Sequence, residues 1–585
     1  MSKLLQSKPL GLTAIVAVLV CLGPTAGCRD SKDLPGGDVG SSSRGTGPGG
    51  SAAGLPNIVF AVYDNTRLDR YSLGGNTRNT SPFLAELAAE GIYLANAIAP
   101  ATWTFPSHAS MFTGYRNHQL RVDMENENNL VIAPGAPTIA ELLAGRGYLT
   151  VTYPDHPYFG PVNASLSRGF RYFDMMFNPL ETPSLSFTNV PDGLLNDRRI
   201  TIPKPPLEED LRLKAEFRDR LGGGDGPYTK PPSEGEKFPS VTPYVSKYVP
   251  QRYAGLMEVL TTRGDRPFFL FLNLHNGPKH LTTYNDNVRW LMEYLEENGL
   301  GPVDWDKFND LDDGFLKSDY IIAFCDATLR ALYEMFSSTP GMENTVYVVA
   351  SDHGQAHGEH GERTYYKHAY SLPWEYMVRA PAVIWFPESL RAEYPTGRVE
   401  ERVSLTDLFF TLAEIGGCGE LPQVREVAKL NGESILQRMR DRHFEEYVVT
   451  ESFMVIAYEE IKAMMPELAV AVGLRDDEIL TGNVYAVYKG PFKLVYAPQC
   501  YIQGRPRTRF VEVKLLLDVQ ADPQEMRNVA AEHPEVLQDL MEAYRRHKDI
   551  EKKVSFQASR KLSYDDRTKQ QLQELGYLPS EESPE

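Results

Sequence analysis

The chain has 585 residues, 42% of them hydrophobic and 24% charged, with a formal net charge of −18. This length and balance suit one large globular domain plus a smaller one. The negative charge excludes nucleic acid as a partner, since a phosphate backbone would be repelled, and excludes adhesion to an anionic membrane by charge alone.

At the N-terminus, Lys3 and Lys8 precede an apolar run from Leu10 to Leu22 that is too short to span a bilayer as a mature helix. The run ends in Thr25-Ala-Gly-Cys28, which resembles a bacterial lipoprotein signal. Residues 1–28 are therefore expected to be a signal peptide, with the chain lipidated at Cys28 in the bacterial cell envelope and touching the membrane through that anchor only. A general secretory signal with an incidental cysteine is the alternative, and it too exports the protein. Residues 29–55 are rich in Gly, Ser, Asp and Pro and form a flexible tether. A random coil of that length reaches roughly 30 Å. Beyond residue 28 only Cys325, Cys418 and Cys500 remain, so disulfides do not build this fold.

The folded part, 56–440, opens with the continuous apolar run Asn57–Tyr63, which predicts a strand buried on both faces and leaves Asp64 at its carboxyl end. Thr80–Gly91 has a capping start, Pro82 in the first turn and a glycine stop, the pattern of a helix. In Ala101–Gly114, Pro106 is expected as the first helical residue, so Thr104 stands just ahead of the helix, where unpaired N–H groups favour an anion. By itself Thr104 would be only a cap. Pro137–Gly147 predicts another helix and Tyr148–Thr152 a strand. From about 175 to 250 the pattern fades into Pro, Gly and charge, an insertion covering substrate or contacting a partner. Regular structure returns with strand Arg266–Leu274, helix Tyr320–Phe336 and strand Asn344–Ser351, the last followed by Asp352-His353-Gly354. Alternating strands and helices imply an α/β fold with a largely parallel sheet. In 441–585, Val484–Tyr488 and Lys493–Ala497 form a hairpin, Phe510–Val519 adds a strand and Pro534–His547 a helix, which predicts a smaller subdomain with an antiparallel sheet.

Asp64 and Asp352 each terminate a buried strand, and His353 follows one of them. Two carboxylates and an imidazole at one sheet edge suit a single divalent cation, Zn²⁺ or Mn²⁺ favoured by the nitrogen ligand, with Ca²⁺ or Mg²⁺ admissible. Thr104 could complete the shell through its oxygen, and the cation would lower its hydroxyl pKa.

Val62–Asp69, Trp103–Gly114 and Ser351–Gly361 resemble the sulfatase-like branch of the alkaline phosphatase superfamily, and further matches follow in order at Val403–Leu412, Asn431–Ser434, Leu516–Glu525 and Leu575–Tyr577. The resemblance spans roughly 56–540 apart from the insertion. It implies a three-layer α/β/α sandwich, Asp64, Asp352 and His353 as metal ligands, and Thr104 as a nucleophile that also touches the metal. His368 would bind the transferred group or protonate the leaving oxygen, with Lys367 beside it. The central histidine of the family falls at His275 or His280, with His280 preferred. Arg67 and His108 would support the site or its substrate, and the substrate would be an ester, a glycan or a lipid among its forms.

Two departures bear on the chemistry. True sulfatases carry Cys or Ser, oxidised to formylglycine, with Arg four residues later, where this chain has Thr104 and His108. Threonine has a methyl on Cβ and cannot yield that aldehyde, so the resemblance narrows to relatives that handle phosphoryl groups. Asn65 stands where a second Asp is usual, which favours a one-metal site. The expected activity is hydrolysis or transfer of a phosphate or phosphonate ester. The alternatives are a sulfate ester hydrolase without formylglycine, and a non-catalytic binding protein on the same scaffold.

Overall fold

A computed structural model describes residues 54–77, 79–122, 131–133, 135–154, 159, 166–173, 200–201, 253–274, 314–360, 371–464, 470, 473–475, 478–503, 510–554 and 556. All of them belong to the compact unit Gly50–Glu585. The first strand, β1 (Asn57–Tyr63), shows why the main sheet is central. Its even residues Ile58, Phe60 and Val62 enter one apolar core and its odd residues Val59, Ala61 and Tyr63 another, all of them 0% exposed. A strand that is apolar on both faces must be covered on both, and helices do the covering.

The sheet has nine strands in the order β5-β4-β3-β6-β1-β7-β8-β2-β9. These are β2 (Ile92–Ile98), β3 (Leu149–Pro154), β4 (Tyr172–Phe173), β5 (Ile200–Thr201), β6 (Phe268–Leu274), β7 (Thr345–Ala350), β8 (Arg379–Trp385) and β9 (Gly397–Ser404). From β5 to β7 every neighbour is parallel, and β8 runs antiparallel between β7 and β2. One face carries α1 (Pro82–Glu90). The other carries α2 (Thr104–Thr113), the short α3 (Asn117–Leu120) and α4 (Ile139–Arg146). Helix α5 (Gly314–Ser337) shares the α1 face through Ile322, Leu329 and Phe336. The same helix caps α1: Asp326 accepts the N–H groups of Phe83 at 2.9 Å and Leu84 at 2.8 Å, donors that would otherwise be unpaired at a helix start.

A second sheet follows, antiparallel in the order β10-β11-β12-β13, with β10 (Val448–Ala457), β11 (Ile479–Lys489), β12 (Phe492–Ile502) and β13 (Val511–Asp518). The hairpin and added strand expected from the sequence are β11, β12 and β13. Helix α6 (Asp407–Ile415) packs within the first core, and α7 (Pro534–Glu551) covers the outer face of the second sheet through Leu540, Ala543 and Tyr544. The stretches Val403–Leu412 and Asn431–Ser434, both part of the resemblance, meet here. Asp407 accepts the Glu433 N–H at 3.2 Å and pairs with Arg438, while a Cβ on Gly432 would lie 2.1 Å from Asp407 Oδ1. Cys325, Cys418 and Cys500 are buried free thiols.

Candidate active site

Strands β6, β1 and β7 lie side by side and parallel, so their carboxyl ends share one edge. Asn273 lies near the end of β6, Asp64 just after β1 and Asp352 just after β7. Helix α2 brings Thr104 to the same edge. The helix begins two residues earlier than the sequence suggests: Trp103 is the cap, with φ −153°, and Thr104, not Pro106, is the first helical residue. Pro106 therefore sits inside the first turn, where its missing N–H breaks no helical bond. Gly114 ends the helix at φ 70°, with Phe409 where a Cβ would project 2.5 Å away.

The four side chains converge. Thr104 Oγ1 lies 3.1 Å from His353 Nε2 and 3.4 Å from Asp64 Oδ1, and His353 Nε2 lies 3.3 Å from Asp352 Oδ2. A tetrahedral cation with bonds of 2.0–2.1 Å separates its ligands by roughly 3.3 Å, so the atoms present fit such an ion. The unused valences agree. His353 Nδ1–H donates to Gly354 O at 2.8 Å, which leaves Nε2 with its lone pair facing Thr104. Asp352 Oδ1 accepts the Asn65 and His353 N–H groups at 3.0 and 2.9 Å, whereas its buried Oδ2 has no hydrogen-bond partner. Burial, reinforced by Asp64, pushes the Asp352 carboxyl well above the usual range. A neighbouring cation would reverse that, because two buried carboxylates side by side repel one another.

Asn273 was not legible as a site residue: it is one polar position in an apolar strand. Its Nδ2 donates to Asp64 Oδ2 at 2.9 Å and it is 0% exposed, so it fixes which oxygen of Asp64 turns toward Thr104. Asn65 adopts φ 59°, in the left-handed region that asparagine tolerates, and its amide donates to Gln355 Oε1 at 2.9 Å.

His108 departs from the expected role of touching substrate. It is 0% exposed, its ring ringed by Phe112, Phe159 and Phe271, with Nδ1 donating to Thr104 O at 2.8 Å. Burial pushes its imidazole down to about 4, so it serves as a neutral prop beneath the first turn of α2. Arg67 pairs with Asp69 and Glu359 and reaches Gln355 O at 3.2 Å, pinning the loop after Asp352. His360 stacks on Trp374 and bonds Tyr376 Oη at 2.7 Å, a packing role. His275, His280, Lys367, His368 and Cys28 lie outside the described residues.

A mostly parallel three-layer sheet that gathers a hydroxyl, an imidazole and two carboxylates at its central carboxyl ends defines a class, the hydrolases of sulfuric and phosphoric esters. The sulfatase family model matches residues 56–418, well over half of the chain, and the chain belongs to that family. Among curated relatives, human arylsulfatase A is 25% identical over 397 residues, 64% of this chain and 67% of that protein. The delta 4,5-hexuronate-2-O-sulfatase of Bacteroides thetaiotaomicron is 21% identical over 422 residues, 69% of this chain and 76% of that protein. Among solved structures, Ps i-CgsB in complex with a neocarrahexaose has a TM-score of 0.50 at 17% identity, covering 90% of this chain and 98% of that one. A protein described with glycosaminoglycan metabolism by Bacteroides thetaiotaomicron has a TM-score of 0.51 at 16% identity, covering 86% of this chain and 96% of that one. At such identities these structures show the shared fold alone.

Proposed function

We propose that the protein is an exported, lipid-anchored, cation-dependent hydrolase or transferase of phosphate or phosphonate esters, with the Thr104 hydroxyl as its nucleophile. One observation carries this reading. Thr104 Oγ1 lies 3.1 Å from a lone-pair nitrogen of His353 at the positive end of a buried helix, on a carbon whose methyl bars conversion to an aldehyde.

Asp64, Asp352 and His353 would hold the cation, with Asn273 and the N–H groups of Asn65 and His353 fixing the two carboxylates. When bound, the cation lowers the hydroxyl pKa and offsets charge on the group transferred. Thr104 Oγ1 gives up its proton to solvent and attacks phosphorus as the bond to the leaving oxygen breaks, and the resemblance gives His368 the role of binding the transferred group or protonating that oxygen. The start of α2 favours the negative oxygens of the transferred group. Water or an acceptor hydroxyl then attacks phosphorus and releases Thr104. His280, or His275, and Lys367 are proposed substrate contacts on the resemblance.

The second reading, sulfate ester hydrolysis by the same hydroxyl, is favoured by the relatives named above, which are sulfatases. Esters carried on glycans belong in the first substrate panel for that reason. The deciding experiment compares aryl phosphodiesters, phosphonates and sulfates with added Zn²⁺ or Mn²⁺, and weighs the active-site peptide after a quench. Thr104→Ala is expected to lower kcat by at least roughly 10³-fold while Thr104→Ser retains turnover. An adduct whose exact mass is phosphate supports the first reading and a sulfate adduct the second. Full activity in Thr104→Ala overturns both.

A further inference from the structure

The second sheet sends one buried ion pair toward the strand-end site. Lys493 on β12 donates to Glu525 Oε1 at 2.6 Å, with side chains 0% and 1% exposed. Glu525 closes the stretch Leu516–Glu525, which runs off the end of β13 and turns back, its N–H donating to Asp522 O at 3.0 Å. The other carboxylate oxygen, Oε2, accepts the backbone N–H of Glu375 at 2.7 Å. Tyr488 on β11 donates to Glu375 Oε1 at 2.8 Å, and Lys493 lies 3.5 Å from the same oxygen. A fully buried ion pair contributes little net stability over an apolar pair of equal volume; what it can supply instead is a fixed geometry.

The backbone carries the same mark. Glu525 adopts φ 57°, a left-handed conformation that glutamate rarely takes and that persists only where the surroundings hold it. The residue before it is held too. Gln524 O accepts the Nε2–H of His360 at 2.9 Å, which leaves His360 Nδ1 to accept the Tyr376 hydroxyl at 2.7 Å. The 524–525 turn is thus docked both on the helical turn Glu375–Val378 and on the loop that follows Asp352.

From there the path to the site is short. Met377 O accepts the Gly354 N–H at 2.7 Å, and a Cβ on Gly354 would lie 1.9 Å from Tyr376 O, so loop and helical turn are in backbone contact. Gly354 O in turn accepts the Nδ1–H of His353 at 2.8 Å, the bond that aims Nε2 at Thr104. Hydrogen bonds of 2.6 to 2.8 Å, joined by two short stretches of main chain, therefore connect Lys493 to the His353 ring.

We propose that Lys493 and Glu525 are positioning residues for the strand-end cation site. They hold the helical turn Glu375–Val378 against Gly354 and so set the angle of the His353 imidazole, as outer partners of metal ligands do. The inference rests on His353 being a cation ligand.

The full chain, freed of metal by chelator dialysis, is titrated with Zn²⁺ alone against a chromophoric chelator, and the urea midpoint of each variant is followed in parallel. Lys493→Met keeps the bulk and removes the ammonium. Its Zn²⁺ dissociation constant is expected to rise roughly 10-fold, the lower end of what outer partners of metal ligands contribute. Glu525→Gln keeps the shape but must turn its amide N–H toward either the Lys493 ammonium or the Glu375 N–H. It is expected to show the same loss, and it decides the matter should the methionine variant not fold. Leu540→Ala loosens α7 on the outer face of the same sheet without touching this path, and is expected to lower the urea midpoint while leaving zinc affinity unchanged. Parent-like zinc affinity in a folded Lys493→Met or Glu525→Gln chain overturns the proposal, as does an equal loss in Leu540→Ala. A parent chain that binds no zinc overturns the cation reading of the strand ends as well, which separates the two failures.

Discussion

Replacing Asn273 by leucine tests whether the strand-end carboxylates are oriented from behind. The substitution keeps the bulk of a side chain that is 0% exposed in the middle of the sheet edge and removes the donor 2.9 Å from Asp64 Oδ2. A hydrogen bond to a charged group contributes about 1.5–3 kcal/mol. At 1.4 kcal/mol per tenfold change, cation affinity at the Asp64, Asp352 and His353 group should fall by roughly 10- to 150-fold. Asn273→Ala should cost less, because water can enter the space and donate in place of the amide. The assay is competition for Zn²⁺ or Mn²⁺ against a chromophoric chelator, with the urea midpoint followed in parallel to confirm the fold. Cation affinity within twofold of the parent, in a leucine variant with a parent-like midpoint, would refute the claim that Asn273 sets the orientation of Asp64.

Asp326→Ala strips the cap from α1, and leaving the Phe83 and Leu84 backbone donors without their carboxylate acceptor should lower unfolding free energy by about 1–3 kcal/mol, read from urea denaturation. Gly432→Ala places a Cβ 2.1 Å from Asp407 Oδ1 and should destabilise by about 1–3 kcal/mol, read as a lower melting temperature. At the surface, Lys489, followed by Tyr447, holds the Asp539 carboxyl below its usual range and ties α7 to β11. A depressed carboxyl contributes stability that is complete above its unfolded pKa and is lost as pH falls through the folded one. The urea midpoint gap between parent and Asp539→Asn should therefore be full at pH 7 and close below about pH 4, and a gap independent of pH would contradict the pairing.

Much of the scaffold could be read from the chain because each element carries its own instruction. A seven-residue run such as Asn57–Tyr63, apolar on both faces, has no stable place except a sheet covered on both sides. Asp64 and Asp352 could be singled out because each follows such a run directly, and Thr104 because Pro106 and Gly114 bracket a short helix. The helix start falls two residues before the expected Pro106: with Trp103 extended as the cap, Thr104 is drawn into the first turn. His108 was expected near the substrate because it stands where the resembled family has an Arg, four residues after Thr104. In three dimensions it faces phenyl rings from α2 and β6, which a linear reading cannot assemble.

What the sequence alone determined is the family, the buried strands β1, β3, β6 and β7, and the identity of the groups that follow β1 and β7, since these follow from local periodicity and short motifs. Only the tertiary structure decided that Asn273 stands behind Asp64, 209 residues away, and that Glu451 bridges His118 and His547. The reason is physical: the side-by-side order β6-β1-β7 and the docking of α7 on the second sheet are set by burial summed over the whole chain. No local pattern encodes which polar side chain such packing will bring within hydrogen-bond reach of another.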